Sequence, residues 1–202
     1  MGLSVSAVIA DTELTDAQLT AVGLYPRPET AATSEVMLNP ADDRVLVTRH
    51  GGHTIIVDGA AEVAEQFEGT STELPGRVVV AGTVDSVGYA VFRVFDNGRA
   101  ARVLETSDGE IVTDEGEPLS QEDSFVFRTD GDVEVDGQLL IDTLASLASV
   151  PGSPDIFELE GQVYALAGTG LEVEPGSAPG HEHLGNEALK PQKKGFFGRL
   201  FG

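Results

Sequence analysis

The chain has 202 residues and a net charge of −22, contains no cysteine, and is 41% hydrophobic. The lack of cysteine excludes disulfides, thiolate metal sites and cysteine nucleophiles, while the apolar content is that of a folded protein. Because an acidic surface repels phosphate groups, we expect no nucleic-acid partner.

The first third of the chain predicts alternating strands and short helices. Apolar residues at every second position are typical of strands, and glycine pairs between two such runs are typical of hairpin turns. No basic segment of a signal peptide precedes the first strand. The predicted elements are a strand at 3–10, a helix at 16–22, two strands at 44–48 and 54–57 around Gly51-Gly52, and a helix at 60–67.

From residue 77 the pattern predicts an antiparallel meander. Glycine-bearing turns at Asp96-Asn97-Gly98 and Ser107-Asp108-Gly109 separate its strands. The second strand of the meander has apolar residues on both faces, so we expect it to be central and largely covered on one side. The predicted elements are strands at 78–84, 87–95, 99–105 and 110–113, a helix at 137–150, and a last hairpin of 156–159 and 162–166 around Glu160-Gly161.

These elements predict an α+β fold, with a mainly antiparallel sheet and helices packed on one face. The acidic globular body is expected to span residues 1–172, with a candidate sub-boundary near 69–76 where the composition changes. Residues 173–192 are rich in Pro, Gly and Glu and predict a flexible linker. Residues 193–202 then form a basic-aromatic tail.

Part of the meander resembles known sequences. An aromatic strand at 86–104, an Asp-Gly turn at 107–112 and a Gly-Glu-Pro-Leu turn at 116–119 follow each other in that order. This stretch resembles uncharacterised actinobacterial α+β proteins. The resemblance implies a β-rich core and a bacterial source, and it implies no activity, because those proteins have none to transfer.

Two histidines are the strongest metal-ligand candidates. His50 and His53 lie three residues apart across the predicted Gly51-Gly52 turn, where two imidazoles can bind Zn²⁺ or Ni²⁺ together. No third ligand stands at a fixed spacing. Exposed hairpin histidines are more often not ligands, so we expect no metal site and keep His50 and His53 as weak candidates.

Catalytic motifs do not stand out in the sequence. Adjacent acids such as Asp42-Asp43, Asp114-Glu115 and Glu122-Asp123 are frequent, so any two of them could meet in a cleft. The Gly-x-Ser-x-Gly, P-loop and His-Glu-x-x-His patterns are not found. The catalytic residues are therefore unknown, no cofactor is expected, and a non-enzymatic role is favoured.

The C-terminal tail is the most distinctive segment. Residues 190–202 hold four basic residues and no acid, so the rest of the chain has 8 basic and 34 acidic residues, a net charge of −26. In a helix the four apolar side chains of the tail would lie on one face, suited to a groove or a lipid headgroup layer. The predicted contact residues are Lys193, Lys194, Phe196, Phe197, Arg199, Leu200 and Phe201.

Three functions are compatible with this layout. The first is an interaction or adaptor protein whose tail docks on a protein partner or on the inner membrane surface. The second is a small-molecule-binding domain or enzyme with a carboxylate-lined cleft. The third is an acidic protein that neutralises a basic toxin or nuclease. We expect a cytoplasmic protein, peripheral to the inner membrane face if the tail binds lipid, and the oligomeric state stays open.

Overall fold

The computed structural model describes residues 4–37, 43–67, 72–108, 110–129 and 132–167. Residues 1–167 form one compact unit. Residues 168–202 lie outside the described residues, so the predicted linker and tail stay predictions. The candidate sub-boundary near 69–76 lies between two parts of one sheet, since the strand that follows it pairs with the first strand of the chain.

The described elements are mostly strands joined by short turns. The strands are Ser4–Ala10 (β1), Leu24–Ala32 (β2), Arg44–His50 (β3), His53–Asp58 (β4), Arg77–Val84 (β5), Tyr89–Asp96 (β6), Arg99–Ser107 (β7), Glu110–Glu115 (β8), Val126–Thr129 (β9), Asp132–Val135 (β10) and Glu160–Leu166 (β11). The α-helices are Asp16–Ala21 (α1), Thr33–Met37 (α2) and Gly137–Leu147 (α3). The 3-10 helices are Val63–Phe67, Asp85–Val87, Glu122–Ser124 and Ile156–Glu158.

Within the described residues, nine strands form one antiparallel sheet. Their order is β2-β11-β3-β4-β1-β5-β6-β7-β8, while β9 and β10 pair with each other as a separate hairpin. The mainly antiparallel sheet is confirmed. The expectation of an α+β fold needs correction, because strands far outweigh the short helices and the fold is mainly β.

The larger core lies on the face of the sheet that α3 covers. Alternate residues of β1, including Ala7 and Ile9, point to this face, where α3 packs on β5 and β1. Leu140 and Leu144 of α3 are fully buried, as their helical spacing predicts. Phe92 of β6 meets Phe125 edge-on, with ring centroids 5.4 Å apart. The apolar residues buried on this face help to hold the sheet together.

The opposite face is also covered. Ser6 of β1 lies there, and its hydroxyl accepts a hydrogen bond from the Ala64 amide of the 3-10 helix at Val63–Phe67. The ring of Phe67 packs near Phe95, at 6.4 Å between centroids. Tyr164 of β11 binds Asp16 of α1 on the same side. The expected packing of all helices on one face is therefore not confirmed.

Local signals in the sequence place several elements correctly. Thr15 and Gln18 form the reciprocal cap at the start of α1, and Asp136 caps α3 by accepting a hydrogen bond from the Leu139 amide. Asn97 and Gly98 both have positive φ, as a two-residue hairpin turn requires. The predicted hairpin of β3 and β4 is confirmed.

Elsewhere the structure differs from the predicted elements. Residues 24–32 form an edge strand despite their prolines, and residues 160–166 form one strand where a hairpin was expected. The helix predicted at 60–67 is a 3-10 helix over its second half only. Strand β6 is buried on both faces rather than one, because Val63–Phe67 covers its second side.

Candidate functional site

The two edges of the sheet differ in how open they are to another strand. Strand β2 forms one edge and carries Pro26 and Pro28, which have no backbone N–H to donate. Strand β8 forms the other edge and has no proline. Among the described strands, β8 pairs only with β7, and β10 lies close to β8 without hydrogen-bonding to it. We call residues Glu110–Glu115 the β8 edge.

The β8 edge combines acidic and exposed apolar side chains. Its sequence is Glu-Ile-Val-Thr-Asp-Glu, and Ile111 and Val112 are 36% and 57% exposed. The pairing with β7 shifts at Val112, which has no partner in the register of β7. This bulge places Glu110 and Glu115 opposite Ser107 and Val103, which are four residues apart and therefore on one face.

A buried arginine holds this edge against the segment that follows it. Arg102 of β7 is 1% exposed, and its Nε and Nη2 each lie 2.8 Å from a carboxylate oxygen of Glu122. Its Nη1 donates to Asp114 of β8 at 2.5 Å and to the Glu115 carbonyl at 3.0 Å. The Leu119 amide also donates to Glu122. One guanidinium thus joins β7, β8 and the turn at 116–119.

The ion pairs change the acidity of the guanidinium. The hydrogen bonds that Arg102 donates to Glu122 raise the pKa of Arg102 above its ordinary value, burial acts in the opposite direction, and Asp114 adds to the rise. Arg102 is therefore a permanent cation inside the protein. Since Asp114 also lies 3.7 Å from Arg128, its negative charge is shared between two arginines.

Gly116 ends the β8 edge in a conformation that favours glycine. Its φ is +82°, and a Cβ atom there would collide with the Ala101 carbonyl oxygen. We expect Gly116→Ala to lower the free energy of unfolding by about 1–3 kcal/mol, because the backbone must leave the left-handed region or push β7 away. Urea unfolding followed by circular dichroism measures the change. Glu117→Ala, at the exposed next position, is the control, and equal stability of the two variants would contradict the expectation.

A buried carboxylate lies at the end of β4. Asp58 accepts hydrogen bonds from the amides of Ala60 and Val63 at 2.6 and 2.8 Å, and from the Ser6 hydroxyl at 3.0 Å. Burial raises the pKa of Asp58, although these hydrogen bonds act in the opposite direction. Glu62 follows in the same loop, and burial together with the charges of Asp58 and Asp43 raises its pKa. Because its carboxylate oxygens accept hydrogen bonds from the loop amides, Asp58 has a structural role.

A second polar cluster links α1 to the sheet. The buried Tyr164 donates its hydroxyl to Asp16 at 2.8 Å, and Arg49 binds both Asp16 and the Leu14 carbonyl. Burial raises the pKa of Tyr164, and the hydrogen bond to Asp16 raises it further. These contacts dock α1 onto the face of the sheet opposite α3.

A cavity of about 290 Å³, lined by both polar and apolar side chains, lies where the ends of β5, β6 and β7 meet the start of α3. Asp85 and Glu134 are its acidic lining residues, and the buried Thr83 and Thr106 form part of its wall. The carboxylates with raised pKa, Asp58 and Glu62, lie at the end of β4 instead. The cavity has the size of a small binding site and two acidic residues in its lining.

The predicted histidines lie where the sequence places them. His50 and His53 face each other at the end of the β3–β4 hairpin, and the His53 Nδ1 is 3.2 Å from the Gly51 carbonyl oxygen. In the part of the chain that the structure describes, no group of three metal-ligating side chains is found. The structure brings the two histidines together and adds no third ligand to them.

The predicted contact residues of the tail, 193–202, lie outside the described residues. No helix within the described ranges combines the length and the apolar character that a membrane span needs. The sequence predicted neither the edge position of β8 nor the burial of Arg102. The signal available for Arg102 was an arginine inside a predicted strand, two residues before the apolar Leu104.

In the part of the chain that the structure describes, fold and site together define a mainly β protein whose acidic strand β8 ends the sheet. A model of the family of unknown function DUF6928 matches residues 5–139, more than half of the chain, so the protein belongs to that family. No curated protein and no solved structure matches it. The expectation of a family without known activity is confirmed, and the actinobacterial source stays a prediction. The match includes β1 to β10 and thus the whole β8 edge.

Proposed function

We propose that this protein is a non-enzymatic interaction protein that binds partners through its acidic body and through its C-terminal tail. The observation that supports a binding body is the β8 edge, an open strand with exposed Ile111 and Val112 between acidic residues. An open edge with apolar side chains is a surface that other proteins commonly use. A protein with two contact surfaces can serve as an adaptor.

The tail provides the second contact in this proposal. Its residues Lys193 to Phe201 dock on a partner protein or on the inner membrane surface. The separation of charge supports it, since residues 190–202 carry +4 and the remaining chain −26. Apolar side chains that enter a groove or a headgroup layer contribute most of the affinity, and each basic residue near an anionic surface adds about 1 kcal/mol.

Deletion of residues 190–202 is the test of the tail. We expect the shortened protein to lose its co-purifying partner or its membrane fraction, because the apolar anchors and the basic residues leave together. The matched control keeps all four basic residues and replaces Phe196, Phe197, Leu200 and Phe201 by serine. Unchanged partners and unchanged localisation after the deletion would refute the role of the tail.

A vesicle assay distinguishes a membrane from a protein partner as the target of the tail. A synthetic peptide of residues 190–202 is mixed with phosphatidylcholine vesicles that contain or lack phosphatidylglycerol, and is then sedimented. A membrane role predicts binding that requires the anionic lipid. Equal sedimentation with both vesicles would leave the protein partner as the target of the tail.

Small-molecule binding is a second candidate, which the cavity near Thr83 supports. Its volume of about 290 Å³ is close to the lower end of ligand sites, and Asp85 and Glu134 would favour a polar, cationic ligand. The third candidate, neutralisation of a basic toxin or nuclease, is supported by the charge of −26 outside the tail. It predicts binding that weakens as salt increases.

A further inference from the structure

We propose that the β8 edge binds an extended basic peptide segment, which adds to the sheet as a further strand next to β8. This inference rests on the proposed interaction function and names the chemistry of the partner. The occupant is a segment with a Lys or Arg at positions four apart and β-branched residues between them. The backbone, the charges and the apolar side chains of the β8 edge each point to this occupant.

The backbone of β8 supports strand addition. Of the strands that the structure describes, only β7 hydrogen-bonds to β8, and β10 lies beside β8 without pairing with it. Within the described residues, the backbone N–H and C=O groups on the outer side of β8 therefore have no strand partner. Added strands bind through such groups, and their alternate side chains determine specificity. The opposite edge is less suited, because Pro26 and Pro28 interrupt the donors of β2.

The charges of β8 select a basic strand. Asp114 is already bound by Arg102, whereas Glu110 and Glu115 are exposed. Because of the bulge, these two glutamates lie on one face, and the distance between them is the length of four residues of β7. Four residues of a strand span about 13 Å, so a Lys and an Arg four positions apart can pair with both glutamates.

The same charges disfavour a second copy of this chain as the occupant. Two β8 strands side by side would bring the acids of one strand against the acids of the other, and like charges on neighbouring strands repel each other. The bulge at Val112 adds to this protection against self-association. The charges of the edge thus disfavour a second β8 strand and favour a basic one.

Apolar contacts and rigidity complete the site. Ile111 lies on the face opposite Glu110, and Val112 at the bulge is more than half exposed, so both can pack against valine or isoleucine of an added strand. Arg102 fixes β8 through Asp114 and the Glu115 carbonyl before any partner arrives. A strand that is already ordered loses little entropy on binding.

The test measures the anisotropy of a fluorescent peptide, Gly-Lys-Val-Thr-Ile-Arg-Gly, added to the full-length protein. We expect saturable binding at low salt that is weakened about tenfold by the double variant Glu110→Lys/Glu115→Lys, since two attractions become repulsions. The matched control, Glu13→Lys/Glu29→Lys, makes the same change in net charge away from β8 and should weaken binding by less than about threefold.

Two altered peptides keep the test valid if the β8 variant fails to fold. The first, with Arg and Ile exchanged, has the same composition but places its two basic residues on opposite faces of the strand. The second is N-methylated at its Val, Thr and Ile, and therefore lacks backbone donors on both sides of the strand, including the side that faces β8. Both are expected to bind the unchanged protein at least about fivefold more weakly, if strand pairing contributes beyond charge attraction.

Three results would overturn the proposal: no saturable binding up to millimolar peptide, equal binding of the three peptides, or equal loss in the two double variants. The last two would show general charge attraction instead of strand addition. The interaction function survives each of these results if deletion of residues 190–202 still removes a partner. The role of the tail fails separately if that deletion changes nothing.

Discussion

Glu122→Ala is expected to lower the free energy of unfolding by about 3–5 kcal/mol, because it leaves a buried guanidinium without its main counterion. Glu122 is 2% exposed and binds Arg102 through both of its oxygens. In this variant only the Nη1 group of Arg102 keeps its hydrogen-bond acceptors, which are Asp114 and backbone carbonyls. The buried cation cannot lose its proton, so its desolvation is not relieved.

Urea unfolding of Glu122→Ala, next to Asp123→Ala at the exposed neighbouring position, measures this effect. The double variant Arg102→Met/Glu122→Leu removes both charges and should recover about half of the loss or more, since apolar residues can replace a buried ion pair. A loss below about 1 kcal/mol for Glu122→Ala would show that the pair acts as an exposed salt bridge does. Glu122→Ala should also weaken peptide binding at the β8 edge, because Glu122 holds the guanidinium of Arg102, which orders that strand.

Asp58→Ala is expected to lower the free energy of unfolding by about 3 kcal/mol or more. It removes the acceptor of the Ala60 and Val63 amides and of the Ser6 hydroxyl, and an unsatisfied buried donor costs about 1–3 kcal/mol. Urea unfolding with Asp123→Ala, at an exposed position, as the control gives the difference. Equal stability of the two variants would mean that water replaces the lost acceptor.

The pH dependence of Asp58 follows from its raised pKa. Because the folded value lies above the unfolded value of about 3.9, the folded state takes up the proton first as pH falls. The contribution of Asp58 to stability is therefore fully present below the unfolded pKa and decreases as pH rises through the folded pKa. Glu62, with a raised pKa of its own, changes in the same direction.

Comparison with Asp58→Asn isolates this effect from the other acids. The stability of the unchanged protein minus that of Asp58→Asn should decrease as pH rises from about 4 through the raised pKa, and then stay constant. Asp108→Asn provides the control for an exposed acid. A difference that increases with pH would show that the hydrogen bonds to Asp58 outweigh its burial.

The predicted and observed site residues overlap little. His50 and His53 could be placed together because a hairpin turn is decided by the few residues within it. Nothing near β8 in the sequence shows that it is an edge, since its alternation and its Ser107-Asp108-Gly109 turn resemble those of an inner hairpin. Its position as an edge follows from the order of all nine strands.

By itself, the sequence determined the features that depend on neighbouring residues. These are the alternation of β1, the caps at Thr15 and Asp136, the Asn97-Gly98 turn and the apolar face of α3. Only the tertiary structure decided the coverage of both sheet faces, the burial of Arg102 against Glu122 and of Ser6 against Asp58, and the open edge of β8. The physical reason is range: caps and turns are set within a few residues, whereas burial and strand neighbours depend on partners 20 to 52 positions away.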